Sequence, residues 1–172
     1  MIWSTKKKIL ISLMAISFLF AGYTLINNIN KMPKAKPKEF NFVLNYGICA
    51  KNQIDTIKGQ YTKDMITEPA ITTNLVLTEE EMNTIYFEMR KINILSYPDK
   101  FTPMSFKRQT PFMTYSIKIF INGKEKNIYW KDEKVSESKK AVKLRELFRK
   151  IDKIIEHKEE YKKLPEAKGG YC

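Results

Sequence analysis

Of the 31 basic residues in the 172-residue sequence only four are arginine, and the chain has one histidine, two cysteines and six glycines. Each scarcity removes a class of function. His157 stands between Glu156 and Lys158 with no further ligand at metal spacing, so neither a zinc site nor a histidine-based catalytic unit is spelled out. Cys49 and Cys172 are too far apart for a redox CxxC pair, and remain as a candidate disulfide in an oxidising exterior. No glycine-rich phosphate loop, GxSxG elbow or HExxH helix occurs, and Asp55, Asp64, Asp99, Asp132 and Asp152 are scattered with no calcium-loop spacing. Ser136 and Lys140 in "VSESKK" do not make a Ser–Lys dyad stand out in so lysine-rich a chain. The expectation is of no cofactor, no metal and no enzymatic activity.

The scarcity of arginine also bears on the net charge of +12. A protein that grips phosphates in bidentate fashion uses arginine forks, and here Arg90, Arg108, Arg145 and Arg149 are the whole supply. The charge is concentrated elsewhere. Residues 1–38 carry seven lysines and no acid, whereas the remainder balances 24 basic against 19 acidic residues. Nucleic acid is not an expected partner.

What the chain does have is one long uncharged run, Ile9 to Ile26, behind the cluster Lys6–Lys8. Its 18 residues would span ~27 Å as a helix, against a hydrocarbon core of ~30 Å. The small-residue pattern of a cleavage site is poor, because a cut after Ala21 leaves Leu19 at a position that prefers a small side chain. Tyr23, not a cysteine, follows Ala21 and Gly22, so a lipid-attachment site is missing as well. An uncleaved transmembrane signal anchor is therefore favoured over a cut signal peptide, with residues 1–8 as its basic flank. Lysines on the N-terminal side favour a cytoplasmic N-terminus and an extracellular C-terminal domain, although Lys31, Lys34, Lys36 and Lys38 pull the other way. Those four lysines lie in a Lys/Pro-rich linker, residues 27–38. Pro33 and Pro37 should keep it extended, and its charge suits anionic lipid headgroups or a wall polymer.

Residues 39–164 read as an α+β domain, with a tail over 165–172. "FNFVLNY" alternates with period two and predicts a strand; "QIDTIKGQYT" predicts a second, irregular at Gly59; "ITTNLVL" predicts a third. "TEEE" from Thr78 is a capping box that opens a helix with the stripe Met82, Ile85, Tyr86, Met89 and Ile92. "YSIKIFINGKEKNIYW" is a hairpin turning at Asn122-Gly123, and a last helix buries Leu144, Leu147, Phe148, Ile151, Ile154 and Ile155. Glu146–Lys150 and Glu159–Lys163 stand at ion-pair spacing on its outer face. The expected order is β-β-β-α-β-β-α, an antiparallel sheet with two helices on one face.

"IDTIKGQYTKDM", "LTEEEM" and "KLPEAKGGY" together resemble small exported or membrane-anchored proteins of Gram-positive bacteria. The resemblance implies export and brings with it no activity and no site residue. The expected function is thus a membrane-anchored extracytoplasmic interaction or accessory domain with an unknown protein partner. One alternative is a secreted hydrolase with a site in the Pro-rich segment 97–112; the other is a membrane regulator facing the cytoplasm.

Overall fold

A computed structural model describes residues 31–171 together with Ser12, Met14 and Ser17. The chain divides into two units, Met1–Met32 and Pro33–Cys172. In the first, the three described residues of the apolar run are helical and exposed, and the Ser17 hydroxyl donates to the Met14 carbonyl at 2.8 Å. The rest of the expected anchor lies outside the described residues. Among those described, no helix is long and apolar enough to cross a membrane.

The second unit is α+β. Its strands are β1 (Asn41–Tyr46), β2 (Asn52–Asp55), β3 (Gln60–Met65), β4 (Glu68–Asn74), β5 (Thr114–Ile121) and β6 (Lys124–Lys131). Between β4 and β5 come α1 (Glu79–Lys91) and a 3-10 turn (Ile94–Ser96); α2 (Lys139–Glu156) and the short α3 (Glu159–Lys162) follow β6. The strands form one antiparallel sheet ordered β4-β3-β2-β1-β5-β6.

Four strands precede the first long helix, where the sequence pattern had predicted three. The stretch "QIDTIKGQYT" is two strands, because the Asp55 carboxylate accepts the backbone N–H groups of Ile57 and Lys58, both at 3.0 Å. That side-chain turn reverses the chain, and Gly59 completes it at φ +63°. The last predicted strand of that group begins earlier than expected, at Glu68. Pro69 is tolerated there because β4 is an edge strand and that position needs no inward N–H.

Period-two alternation puts Phe42, Leu44 and Tyr46 of β1 on the same face as Tyr115, Ile117 and Ile119 of β5, with Leu44 opposite Ile117. Both long helices cover that face. The Phe40 ring meets Tyr86 of α1 edge-on at 4.9 Å, and Tyr115 stacks on Phe148 of α2 at 4.4 Å. The Thr78–Glu81 capping box forms in both directions, at 2.7 and 3.2 Å. The Asn122-Gly123 turn takes positive φ at both residues, as a type I′ hairpin requires. Ser138 caps α2, its hydroxyl accepting the Ala141 N–H.

The expected Glu146–Lys150 pair does not form. Lys150 reaches across to Glu88 of α1 at 2.9 Å, and Lys158 reaches Glu81 at 3.1 Å, so both lysines staple α1 to the C-terminal helices. Glu159 likewise pairs with Lys162 and not with Lys163.

The β6 edge is covered, whereas β4 is exposed along most of its length. Beside β6 the segment after the 3-10 turn runs parallel. Phe101 N–H donates to the Tyr129 carbonyl and Tyr129 N–H to the Asp99 carbonyl. Further on, Gln109 N–H donates to the Glu133 carbonyl and Val135 N–H to the Lys107 carbonyl. The tail is held at the β3–β4 turn: Lys63 of β3 donates to the Pro165 carbonyl at 2.9 Å, and Thr67 of the turn to the Lys168 carbonyl at 3.0 Å.

Candidate functional site

Helix α2 carries Arg145, Phe148, Arg149 and Asp152 at i, i+3, i+4 and i+7, which is one stripe of its surface. That stripe faces the hydroxyl ends of Tyr46 and Tyr115 and the loop residues Gln109 and Met113 across a cleft of about 620 Å³. The cleft is a size that suits a small ligand.

One wall is fixed by charge. Arg145 forks onto Asp132 at 2.5 and 2.7 Å, and its remaining amino group donates to the Ser136 carbonyl at 2.8 Å. The guanidinium also lies over the Trp130 ring, 5.1 Å from its centroid. The fork raises the pKa of Arg145 above its ordinary value. Asp132 in turn receives Gln109 Nε2 on its carbonyl and donates its N–H to Met113, so the pair ties β6, the preceding loop and α2 together.

The floor is a buried hydroxyl network. Tyr46 and Tyr61 hydroxyls lie 3.1 Å apart. Burial pushes both phenols well above the usual tyrosine range, and it holds Tyr115 up to about 12. Burial also raises the carboxyl of Asp152; the Tyr46 hydroxyl opposes that shift and Glu156 adds to it. Arg149 and Glu146 stand exposed at the rim, and Arg149 makes no ion pair among the described residues. The arrangement can therefore accept hydrogen bonds through a desolvated carboxyl and present one unspent guanidinium. Among the described residues no group of three His, Cys, Asp or Glu is placed to hold a metal.

The residues singled out from the sequence lie elsewhere. Lys31, Lys34 and Lys38 are exposed. Lys36 is not free: its ammonium pairs with Glu79 at 2.9 Å, and its side chain is only 9% exposed. The Tyr86 hydroxyl also donates to the Pro33 carbonyl at 2.8 Å, so from Pro33 the expected linker is packed on α1 and belongs to the folded unit. Cys49 is an exposed free thiol in the turn between β1 and β2. The tail returns to that turn, with Lys51 over the ring of Tyr171 at 5.5 Å, while Cys172 lies outside the described residues. His157 ends α2, its ring bonded to the Lys153 carbonyl. Ser136 is buried against Ser138, whereas Lys140 lies over Tyr97, so the two do not form a dyad. Of segment 97–112 only Gln109 lines the cleft, and the acid of that segment, Asp99, pairs with Lys126.

Apart from Gln109, which falls within the 97–112 segment, no cleft residue was given a site role from the sequence. The signal that could have found them was the polar set Arg145, Arg149 and Asp152 on α2, at i, i+4 and i+7, flanking the apolar stripe. No family model, no curated protein and no solved structure matches this chain.

Proposed function

We propose that this chain is a single-pass membrane protein that displays a small binding domain outside the cell, with the α2 cleft as its binding element. The observation that carries the reading is the uncharged run Ile9–Ile26 behind Lys6–Lys8, followed from Pro33 by an independently packed unit. The cleft supports binding in preference to bond cleavage: its one fully fixed charge pair is spent on Asp132 and Arg145, its hydroxyls are buried tyrosines held in the phenol form, and no serine, threonine, cysteine or lysine lines it. Its unspent Arg149 suits a small polar group with an acidic or hydroxyl function. Lys31, Lys34 and Lys38 add attraction toward anionic headgroups or a wall polymer, with Lys36 held by Glu79.

The test is fractionation of natively expressed chain, with intact mass and protease added to whole cells. A full-length, membrane-bound species that is degraded from outside is expected. A soluble species shortened by the apolar run would replace the anchor with a cleaved signal. A C-terminal reporter active only in the cytoplasm would reverse the orientation. The exported form should also yield a Cys49–Cys172 linked peptide under non-reducing digestion, the two thiols giving up their hydrogens to a disulfide-forming oxidant of the cell exterior.

A further inference from the structure

The segment that covers β6 leaves its edge between Phe101 and Lys107 and turns outward, and its tip has an unusual composition. Met104 is 88% exposed and Phe106 103%, more than any other large apolar side chain among the described residues. This is not loose chain. Phe101 is buried between Tyr97 and Trp130, at ring distances of 5.2 and 5.3 Å. Ser105, between the two exposed residues, donates to the Val135 carbonyl at 2.7 Å and accepts the Lys107 N–H at 3.2 Å. The backbone is pinned at both ends and in the middle, with the apolar side chains held in water. An aromatic and a thioether held side by side in water, with almost no protein cover, are apolar surface that a partner could bury favourably.

Directly behind the tip lies a second hollow of about 320 Å³, lined by Lys100, Lys131 and Lys134 together with Glu133, Tyr129 and Pro103. None of the three lysines makes an ion pair among the described residues; nearby Lys126 is the one held by Asp99. Lys107 and Arg108 follow the tip in sequence and are exposed. Two apolar wedges in front of a ring of unspent cations match the layers of an anionic bilayer surface, where hydrocarbon lies beneath a sheet of phosphates.

We propose that the 102–108 tip inserts Met104 and Phe106 into the interface of an anionic membrane, with Lys100, Lys131 and Lys134 receiving a lipid phosphate in the hollow behind it. This docking is built into the folded unit and does not depend on the apolar run at residues 9–26. It fixes which side of the domain faces the lipid, a second point of attachment beyond any anchor.

The experiment is hydrogen exchange on full-length protein with vesicles of phosphatidylcholine alone or mixed with phosphatidylglycerol. The chain is added from solution if residues 1–26 are removed in the cell, and reconstituted if they are retained. Slower exchange over 101–108 with the anionic vesicles only is expected. It should be lost in M104S/F106S and in K100Q/K131Q/K134Q; of these positions only Lys134 is half-buried, and an unchanged unfolding midpoint is expected for both variants. Each neutralised lysine should weaken vesicle association of the soluble form by about fivefold. Equal exchange with both vesicles overturns the proposal. So does protection by inorganic phosphate alone, or protection that survives in M104S/F106S, which would leave a purely ionic contact. Concentration-dependent protection without vesicles would give the tip to a second copy of the chain and likewise overturn the lipid reading. Failure of the anchor would show separately, as release of the chain from cells in shortened form.

Discussion

One edge of the sheet is closed, and the other is left largely open with the tail tethered at its end. At β6 the covering segment contributes backbone hydrogen bonds in both directions and a buried ring, Phe101, before and after a loop that leaves the edge. At β4 the tail is held by side chains reaching to carbonyls, by one parallel bridge at Ile66 and Lys168, and by the exposed Lys168–Glu68 pair. Only the first satisfies edge backbone groups that could otherwise pair with another chain, and only the first buries substantial apolar surface. The β6 cover should therefore be part of the cooperative unit, whereas the tail at β4 should behave as an attachment to it.

Breaking the β6 cover should have the largest effect. Phe101→Ala removes a buried ring from the Tyr97–Trp130 cluster and should cost about 4 kcal/mol in urea unfolding. A loss under about 1 kcal/mol would mean that the segment is laid on an already complete core. Asp132→Ala leaves Arg145 partly buried without its carboxylate, and should cost about 3 kcal/mol because the guanidinium keeps some access to water.

Between the edges, Asp152 offers a pH test. Its folded pKa is raised by burial, so its contribution to stability is full below the ordinary carboxylate range and is lost as pH rises through the folded value. Asp152→Asn should flatten the fall of the thermal midpoint over that window and leave the midpoint at low pH nearly unchanged. An unaltered slope would place the carboxyl in water.

At β4 the expected effects are smaller. Deleting residues 165–172 removes the bonds from Lys63 and Thr67, and should cost about 1–2 kcal/mol while keeping one cooperative transition. Lys168→Ala loses only an exposed pair, worth under ~0.5 kcal/mol. A truncation as damaging as Phe101→Ala would erase the distinction between the two edges.

How much of this was legible depended on how local the cause was. The Thr78–Glu81 box and the Asn122-Gly123 turn are fixed by residues within three positions of each other, and both formed as read. The split of "QIDTIKGQYT" into two strands rests on one carboxylate, Asp55, choosing the backbone ahead of it over solvent; the same letters also suit one bulged strand. Lys150 chose Glu88 over Glu146 because α1 lies alongside, which helix spacing cannot anticipate. The cleft was least legible. Its Arg145–Asp132 fork joins a helix to the end of a strand, and its tyrosines come from β1 and β5, brought together only by the sheet order. The 97–112 segment is Pro-rich and irregular in secondary structure, yet several of its backbone groups pair with Tyr129 of β6 and with Glu133 and Val135 just beyond it.

The sheet order has a consequence in time. β1 sits at the centre, yet one of its two partners is the distant β5, with Asn41 opposite Phe120. A ribosome finishes β1 long before it makes β5, so the hairpins β1–β2 and β3–β4 must wait as a half-sheet with one side open. Non-local closure of this kind is slow, and the sheet stays incomplete while most of the chain is being made. Under the proposed export, that delay would keep the chain threadable, a consequence of strand order alone.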